Sequence, residues 1–112
     1  MYALIYYIPP ADHERVKQAL FSQGAGKVGN YDQACWQVLG TGQFRPLAGS
    51  HPAIGKQARL EQLEEFRVEM VCADEHIKIV VETLLKEHPY EQPAWQVYRI
   101  IEPQEFRKVN DL

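Results

Sequence analysis

The chain lacks the features that mark several large classes of protein. Its 112 residues include only two cysteines, Cys35 and Cys72, too few for a small scaffold held by disulfides. No apolar run approaches the roughly 18 residues of a membrane span. The N-terminal residues lack the basic region and the small-residue cleavage site of a signal peptide. These absences predict a soluble cytoplasmic protein with no membrane partner.

Positive charge is also scarce. Twelve Lys and Arg stand against 15 Asp and Glu, for a formal net charge of −3, and the basic residues are scattered. A nucleic-acid binder carries a clustered basic footprint, which this chain does not have. Residues 67–72 also lack the aromatic stacking positions of an RNA-recognition sheet. We therefore expect no nucleic-acid partner.

Two prolines, Pro89 and Pro93, organise the last third of the chain. Before them lies an apolar stripe at the spacing of an amphipathic helix, formed by Ile77, Val80, Val81, Leu84 and Leu85. Pro89 pushes His88 out of helical geometry, so a helix over residues 75–86, capped by Asp74, must end there. Alternation over residues 94–101 then predicts a strand. The run His-Pro-Tyr-Glu-Gln-Pro at 88–93 is a rigid corner between the two.

The remaining elements follow from periodicity and from turn residues. The patterns predict strands over residues 2–8, 34–44 and 58–73 and a helix over residues 12–23, with Asp12 as N-cap and Gly24 after its end. The order β-α-β-β-α-β predicts an α+β ferredoxin-like sandwich with a long hairpin between the second and third strands. We expect one domain over residues 1–102 and a polar C-terminal tail over residues 103–112.

Such a sheet has a second face that two helices cannot cover. In the first strand Tyr2, Leu4, Tyr6 and Ile8 point one way and Ala3, Ile5 and Tyr7 the other. The last strand likewise places Trp95, Val97 and Ile101 on one side and Ala94, Tyr98 and Ile100 on the other. An exposed aromatic and β-branched face is a typical interaction surface. We therefore predict a homo-oligomer, dimer or trimer, that buries this face.

Residues 24–29 match the pattern G-x-G-x-x-G literally. A dinucleotide fingerprint follows a strand and opens a helix, whereas these glycines follow a helix and lead toward a strand. We interpret them as a helix C-cap and a turn.

Polar side chains near the glycine-dense loops and the proline corner are the candidates for a ligand site. They are Tyr31, Thr41, Arg45, Ser50, His51, His88, Tyr90 and Glu91. His88 with Glu91, or Asp32 with His51, are conceivable acid–base pairs, but the corner is better explained by a structural role. Tyr90 is expected to pack, and Glu91 to bind backbone amides within the turn. No catalytic residue is assigned.

Metal ligands are present but not at metal-binding spacings. The four histidines and two cysteines form no C-x-x-C, H-x-x-x-H or H-x-E pattern. Cys35 and Cys72 fall in predicted strands and are expected to be buried. No cofactor is predicted, and a divalent metal held across a subunit interface stays an open alternative.

Several motifs together resemble one family. They are Gly-Asn-Tyr-Asp at 29–32, Cys-Trp at 35–36, Gly-Thr-Gly-Gln-Phe-Arg-Pro at 40–46, Gly-Ser at 49–50, Pro52, Ile-Gly at 54–55, Glu65, Arg-Val-Glu at 67–69 and His-Pro-Tyr-Glu-Gln-Pro-Ala at 88–94. Over about residues 2–102 the chain resembles the PII-like or CutA-like domain inserted in Nif-three-like proteins, also called GTP cyclohydrolase type I type-two-like, dinuclear-metal proteins. The corner alone also resembles the CutA divalent-cation-tolerance family, which lacks the long hairpin.

The resemblance implies a ferredoxin-like fold, with trimers common among the PII and CutA relatives. It carries over no metal ligand, because the family's metals are held by the halves that flank the insert. The resulting expectation is a small oligomeric binding or regulatory module, taking a small molecule or a metal. The alternative is a CutA-like divalent-metal-binding protein. A hydrolase is the weakest of the three classes, because no paired carboxylates stand at a suggestive spacing.

Overall fold

The computed structural model describes residues 1–110, with the side chains of residues 1–107. Its elements follow the predicted order, with one helix added at the end. They are β1 (Tyr2–Ile8), α1 (Pro10–Ser22), β2 (Trp36–Phe44), β3 (Glu61–Cys72), α2 (Ile77–Glu87), β4 (Trp95–Arg99) and α3 (Pro103–Asn110).

The strands form one four-stranded antiparallel sheet in the order β2-β3-β1-β4. β1 lies inside the sheet, and its Tyr6 is paired with Val68 of β3 and Trp95 of β4. β2 and β4 are therefore the edges. This arrangement confirms the predicted α+β ferredoxin-like sandwich, and the paired β2 and β3 form the expected long hairpin.

One face of the sheet forms the core with α1 and α2. The alternate residues Leu4, Tyr6 and Ile8 of β1 are fully buried, as the period of two requires. They pack against residues of β3, of the two helices and of the loop after α1, namely Val16, Leu20, Ala25, Val68, Met70, Cys72, Val80 and Leu84. Complete burial of each large aliphatic side chain contributes about 1.5–3 kcal/mol.

The prolines and glycines set the bounds of α1. The helix begins directly after Pro9, with Pro10 in its first turn, where the missing N–H costs nothing. Asp12 lies within that first turn, so its predicted role as the N-cap is wrong. At the other end Gly24 follows the C-cap with a φ of +105°, the conformation that ends many helices and favours glycine.

The start of α2 also differs from its prediction. The N-cap position is His76, and no side chain caps the helix there. Residues 74–76 form a turn before the helix, so Asp74 lies too early in the chain to cap it. The Asp74 carboxylate instead accepts a hydrogen bond from the α-amino group of Met1. The predicted end is confirmed, since His88, before Pro89, is extended with φ −68° and ψ 137°.

The second face of the sheet carries exposed apolar side chains, as predicted, although Ile5 of β1 on this face is only 6% exposed. Trp36 is 58% exposed, Val38 43% and Tyr98 56%. This surface also carries an ion pair between two residues of β3, with Arg67 Nη2 at 2.8 Å from Glu69 Oε1. We refer to this surface, opposite α1 and α2, as the open face.

The predicted polar tail contains a helix that the sequence analysis missed. α3 begins at Pro103 and continues to Asn110 with an exposed Phe106. Residues 111–112, the end of that predicted tail, lie outside the described residues. None of the helices in the described part of the chain has the length and apolar character needed to cross a bilayer.

Candidate functional site

The proline corner at residues 88–93 is anchored by the buried imidazole of His88. Its Nε2 lies 2.7 Å from the carbonyl oxygen of Tyr7, at the end of the β1–β4 pairing. Its Nδ1 accepts a hydrogen bond of 3.1 Å from the backbone N–H of Tyr90. Because the N–H of Tyr90 can only donate, the network assigns the proton of the neutral ring to Nε2. His88 therefore joins the corner to the sheet.

The same surroundings keep His88 neutral. Burial lowers the pKa of the imidazole below its usual value, because the charged form loses its hydration. The hydrogen bond to the Tyr7 carbonyl and the Glu65 carboxylate act in the opposite direction but do not cancel that effect. A second proton would also place an N–H at Nδ1 against the N–H of Tyr90.

Tyr90 connects the corner to the hairpin. Its ring centroid lies 4.8 Å from that of His88 and 6.3 Å from that of Phe44 at the end of β2. Its hydroxyl is buried and has no hydrogen-bond partner in good geometry. Burial, followed by the charge of the nearby Glu65 carboxylate, raises the pKa of Tyr90. The ring of Tyr90 thus packs as expected, and its hydroxyl is a buried polar group near the Glu65 carboxylate.

Glu91 holds the loop after β2 against the corner. Its Oε1 accepts a hydrogen bond of 3.0 Å from the backbone N–H of His51. The expectation that Glu91 binds amides within its own turn is wrong, because the bonded amide lies 40 residues away in sequence. Inside the loop, the Ser50 hydroxyl donates to the Leu47 carbonyl at 2.7 Å and the Gln57 amide to the Ser50 carbonyl at 3.0 Å.

A cavity of about 260 Å³ lies between this loop, the end of β2 and the corner. Its wall is mostly apolar, and the apolar residues that line it are Phe44, Pro46, Pro52, Ala53, Ile54 and Ala94. The polar residues that line it are Gln43, Ser50, Glu65, Tyr90, Glu91 and Gln92. An apolar pocket with a few convergent polar groups is the usual form of a small-molecule site.

A second depression of about 320 Å³ adjoins the first on the open face, and both are lined by Glu65. The Glu65 side chain lies directly over Gly42 of the neighbouring strand. A Cβ atom at Gly42 would come within 1.8 Å of Glu65 Oε1, so the position of this carboxylate depends on the missing side chain. Gly40, one pleat away, has no comparable contact, since its nearest neighbour would lie at 4.0 Å.

The structure brings some of the predicted ligand-site residues together. Ser50, Tyr90 and Glu91 line the cavity, and Thr41 lines the adjoining depression. The most central residue, Glu65, was not among the candidates, although it belongs to the family motifs. That membership is its signal in the sequence, and the structure adds its register position in β3, opposite Gly40 of β2.

The other predicted residues lie elsewhere. His51 reaches the site only through its backbone amide, His88 is enclosed beneath it, and the exposed Arg45 is outside the cavity wall. Tyr31 is 77% exposed in the loop before β2. Because β2 is nine residues long, its two ends are roughly 30 Å apart. Asp32 and His51, considered as an acid–base pair, are separated by this same strand.

The glycine-rich segment at 24–29 uses its backbone groups within the protein. The N–H of Gly26 donates to the Val71 carbonyl at 2.8 Å, and its own carbonyl accepts from Ala34 at 2.9 Å. Val28 and Tyr31 bond to each other across a tight turn. These contacts support the interpretation as a helix end and a turn.

The cysteines and the buried histidine of α1 do not form a metal centre. Among the described residues, no group of three His, Cys, Asp or Glu side chains is placed to hold a metal ion. Cys72 is buried, but the prediction that Cys35 is also buried is wrong, since it precedes an edge strand and is exposed. His13 is buried, stacks on Phe66 and lies 2.8 Å from Gln37 Oε1.

Comparison with solved structures defines the class of the fold. CutA from Archaeoglobus fulgidus, described as a periplasmic divalent cation tolerance protein, has a TM-score of 0.64 and 18% identity and matches 99% of this chain and 96% of its own. A PII-like CutA from Nostoc sp. PCC 7120 in apo form has a TM-score of 0.66, 14% identity and coverages of 99% and 91%. The chain therefore has the ferredoxin-like fold that the CutA and PII-like proteins also have.

The relatives that are at least 30% identical to this chain are longer proteins. A GTP cyclohydrolase 1 type 2 homolog of Halalkalibacterium halodurans is 39% identical over 98 residues, which are 88% of this chain and 26% of that protein. A Bacillus cereus protein related to NIF3 has a TM-score of 0.77 and 31% identity over 90% of this chain and 26% of its own. The predicted resemblance to Nif-three-like proteins is confirmed. The chain spans about a quarter of the length of these relatives. No protein-family model matches it.

Proposed function

We propose that the chain is a small binding or regulatory module whose ligand occupies the cavity between the β2–β3 hairpin and the proline corner. The observation that carries the proposal is the convergence of an apolar wall with the Glu65 carboxylate and the buried hydroxyl of Tyr90, which lies near that carboxylate but has no hydrogen-bond partner in good geometry. A buried polar atom without a partner is costly unless a ligand or water completes its bonding. The CutA and PII-like fold and the relationship to Nif-three-like proteins support such a role.

A thermal-shift screen against nucleotides, amines, carboxylates and divalent cations tests the proposal. A ligand at 100 times its Kd stabilises the native state by about 2.7 kcal/mol, which is visible as a rise in Tm. We expect the rise to disappear in Ala53→Phe, which fills the cavity, and to persist in Ala48→Phe, a matched change in the same loop outside the wall. No stabilisation by any ligand class would contradict the proposal.

We further propose that the module works as a homo-oligomer, dimer or trimer, joined through the open face and the edge of β2. The nine residues of β2, Trp-Gln-Val-Leu-Gly-Thr-Gly-Gln-Phe, carry no charge and present an unpaired strand edge, which is a template for pairing with another chain. Light scattering at micromolar concentration is expected to give the mass of more than one chain. Trp36→Lys is expected to lower that mass, whereas Tyr31→Lys, also exposed but outside the sheet, should not. A clean monomer would overturn this proposal.

A second candidate function, divalent-metal binding across an interface, is favoured by the exposed thiol of Cys35 at the start of the β2 edge. Ligands from more than one copy would complete such a site. Metal analysis of protein purified without a tag is expected to show a stoichiometric metal that is lost in Cys35→Ser. A substoichiometric content that is unchanged in the variant would contradict this alternative.

A further inference from the structure

The charged groups of the cavity are of one sign. Its wall includes the carboxylates of Glu65 and Glu91, and the described residues that line it include no Lys, Arg or His. The nearest basic group of the adjoining depression, Arg67, is already paired with Glu69 at 2.8 Å. The charge of the cavity therefore complements a cation.

The two carboxylates differ in what they already bind. Glu91 accepts the N–H of His51 and holds the loop in place. Glu65 takes part in no ion pair within the part of the chain that the structure describes, and it lies over Gly42 with the enclosed hydroxyl of Tyr90 nearby. The Glu65 side chain is half-buried, and a carboxylate without an ion-pair partner attracts a cation. Glu65, which interacts with the Tyr90 hydroxyl, is thus the carboxylate of the site that is available to a cation.

The aromatic rings of Phe44 and Tyr90 give the cavity a second feature suited to cations. Both rings line the cavity, and their centroids are 6.3 Å apart with planes inclined by 52°. Ring faces attract ammonium groups, and cages of aromatic side chains are a common means of binding them. Pro52 and Ile54 add an apolar wall for the rest of a ligand.

We propose that the cavity binds a small organic ammonium ion, with its charge on the Glu65 carboxylate and its apolar body against Phe44, Tyr90 and the wall of the loop. This inference rests on the proposed function, since it names the ligand class of the same cavity. The volume of about 260 Å³ lies just below the usual range of drug-sized pockets, which favours a small amine.

The test compares three probes of similar shape by calorimetry and by NMR titration of the backbone amides: phenethylamine, the neutral 2-phenylethanol and the anionic 3-phenylpropionate. Phenethylamine is expected to bind about tenfold or more tightly than the other two, with shifts at Phe44, Glu65 and Tyr90. Its binding is expected to weaken by a similar factor in Glu65→Gln and to stay unchanged in Glu64→Gln, a neighbouring exposed carboxylate outside the cavity.

A second pair of variants leaves the charge of Glu65 in place. Gly42→Ala displaces the Glu65 carboxylate, which would otherwise lie 1.8 Å from the new Cβ, whereas the matched Gly40→Ala meets no atom closer than 4.0 Å. We expect weaker phenethylamine binding in the first variant and wild-type binding in the second. If Glu65→Gln fails to fold, this pair and the loss of affinity with added salt in the wild type decide the question.

Three results would overturn the inference. Equal binding of 2-phenylethanol or 3-phenylpropionate, or an affinity unaffected by Glu65→Gln, would remove the selectivity for cations but leave the cavity as a ligand site. Absence of binding by all three probes at millimolar concentration would also overturn it, while a ligand of another class found in the thermal-shift screen would preserve the proposed function. The experiments therefore distinguish failure of the ammonium-ion proposal from failure of the proposal that the cavity binds a ligand.

Discussion

Replacement of His88 by leucine isolates the contribution of the buried imidazole. Leucine fills much of the same space but leaves the Tyr7 carbonyl and the Tyr90 N–H without their partners. An unsatisfied buried backbone group costs about 1–3 kcal/mol, so we expect a loss of about 2–4 kcal/mol in the free energy of unfolding. That loss is a large part of the roughly 5–15 kcal/mol typical of whole domains.

The pH dependence gives the prediction a second, independent measure. Because burial lowers the pKa of His88 in the folded state, the unfolded chain binds more protons below about pH 6.5. The stability that neutral His88 contributes is therefore fully present above about pH 6.5 and is lost as the pH falls through the lowered folded pKa. The difference in stability between wild type and His88→Leu should shrink in the same direction.

Urea unfolding followed by tryptophan fluorescence, at one fixed protein concentration and at pH 8 and pH 5.5, measures both effects. His51→Leu is the control, because its exposed imidazole makes no contact comparable to those of His88, and its stability should lie within about 0.5 kcal/mol of wild type. A loss below about 1 kcal/mol in His88→Leu, or a loss that grows on acidification, would refute the structural role assigned to this imidazole.

Three further outcomes are expected. Leu84→Ala, at a fully buried position of α2, should lower the free energy of unfolding by about 3 kcal/mol in urea titrations, and a loss below about 1 kcal/mol would contradict its place in the core. In the native protein Cys35 should react with a thiol reagent within minutes and Cys72 only after unfolding, which mass spectrometry of the labelled peptides distinguishes. Glu91→Gln should weaken the bond to the His51 amide and speed protease cleavage in that loop, and an unchanged cleavage rate would count against the tether.

The sequence predicts most of the architecture because the relevant signals are local. The apolar stripe before Pro89 and the alternation in β1 are short-range patterns, and both elements lie where those patterns place them. Errors occur where a long-range contact decides the outcome. Asp74 has the residue type of a helix cap, but the neighbouring amino group of Met1 binds it instead.

The candidate site is only partly predictable for the same reason. Ser50, Tyr90 and Glu91 stand in segments that turn residues make conspicuous, and all three line the cavity. Glu65 is one polar residue in an ordinary alternating strand, and only the register of β2 against β3 shows that it crosses Gly42. Tyr31 precedes β2 and the loop of the cavity follows it, so the two lie at opposite ends of that strand.

The pairing of β1 with β4 has a consequence for how this domain can be inserted into a longer protein. Tyr2 stands opposite Arg99 in the β1–β4 register, and the backbone N–H of Ile100 donates to the carbonyl of Met1 at 2.9 Å. The start of β1 and the end of β4 thus lie next to each other at one end of these two strands. Such a unit can be spliced into a surface loop of a host protein without forcing the two flanking segments apart. That geometry suits a domain whose relatives contain it as about a quarter of a longer chain.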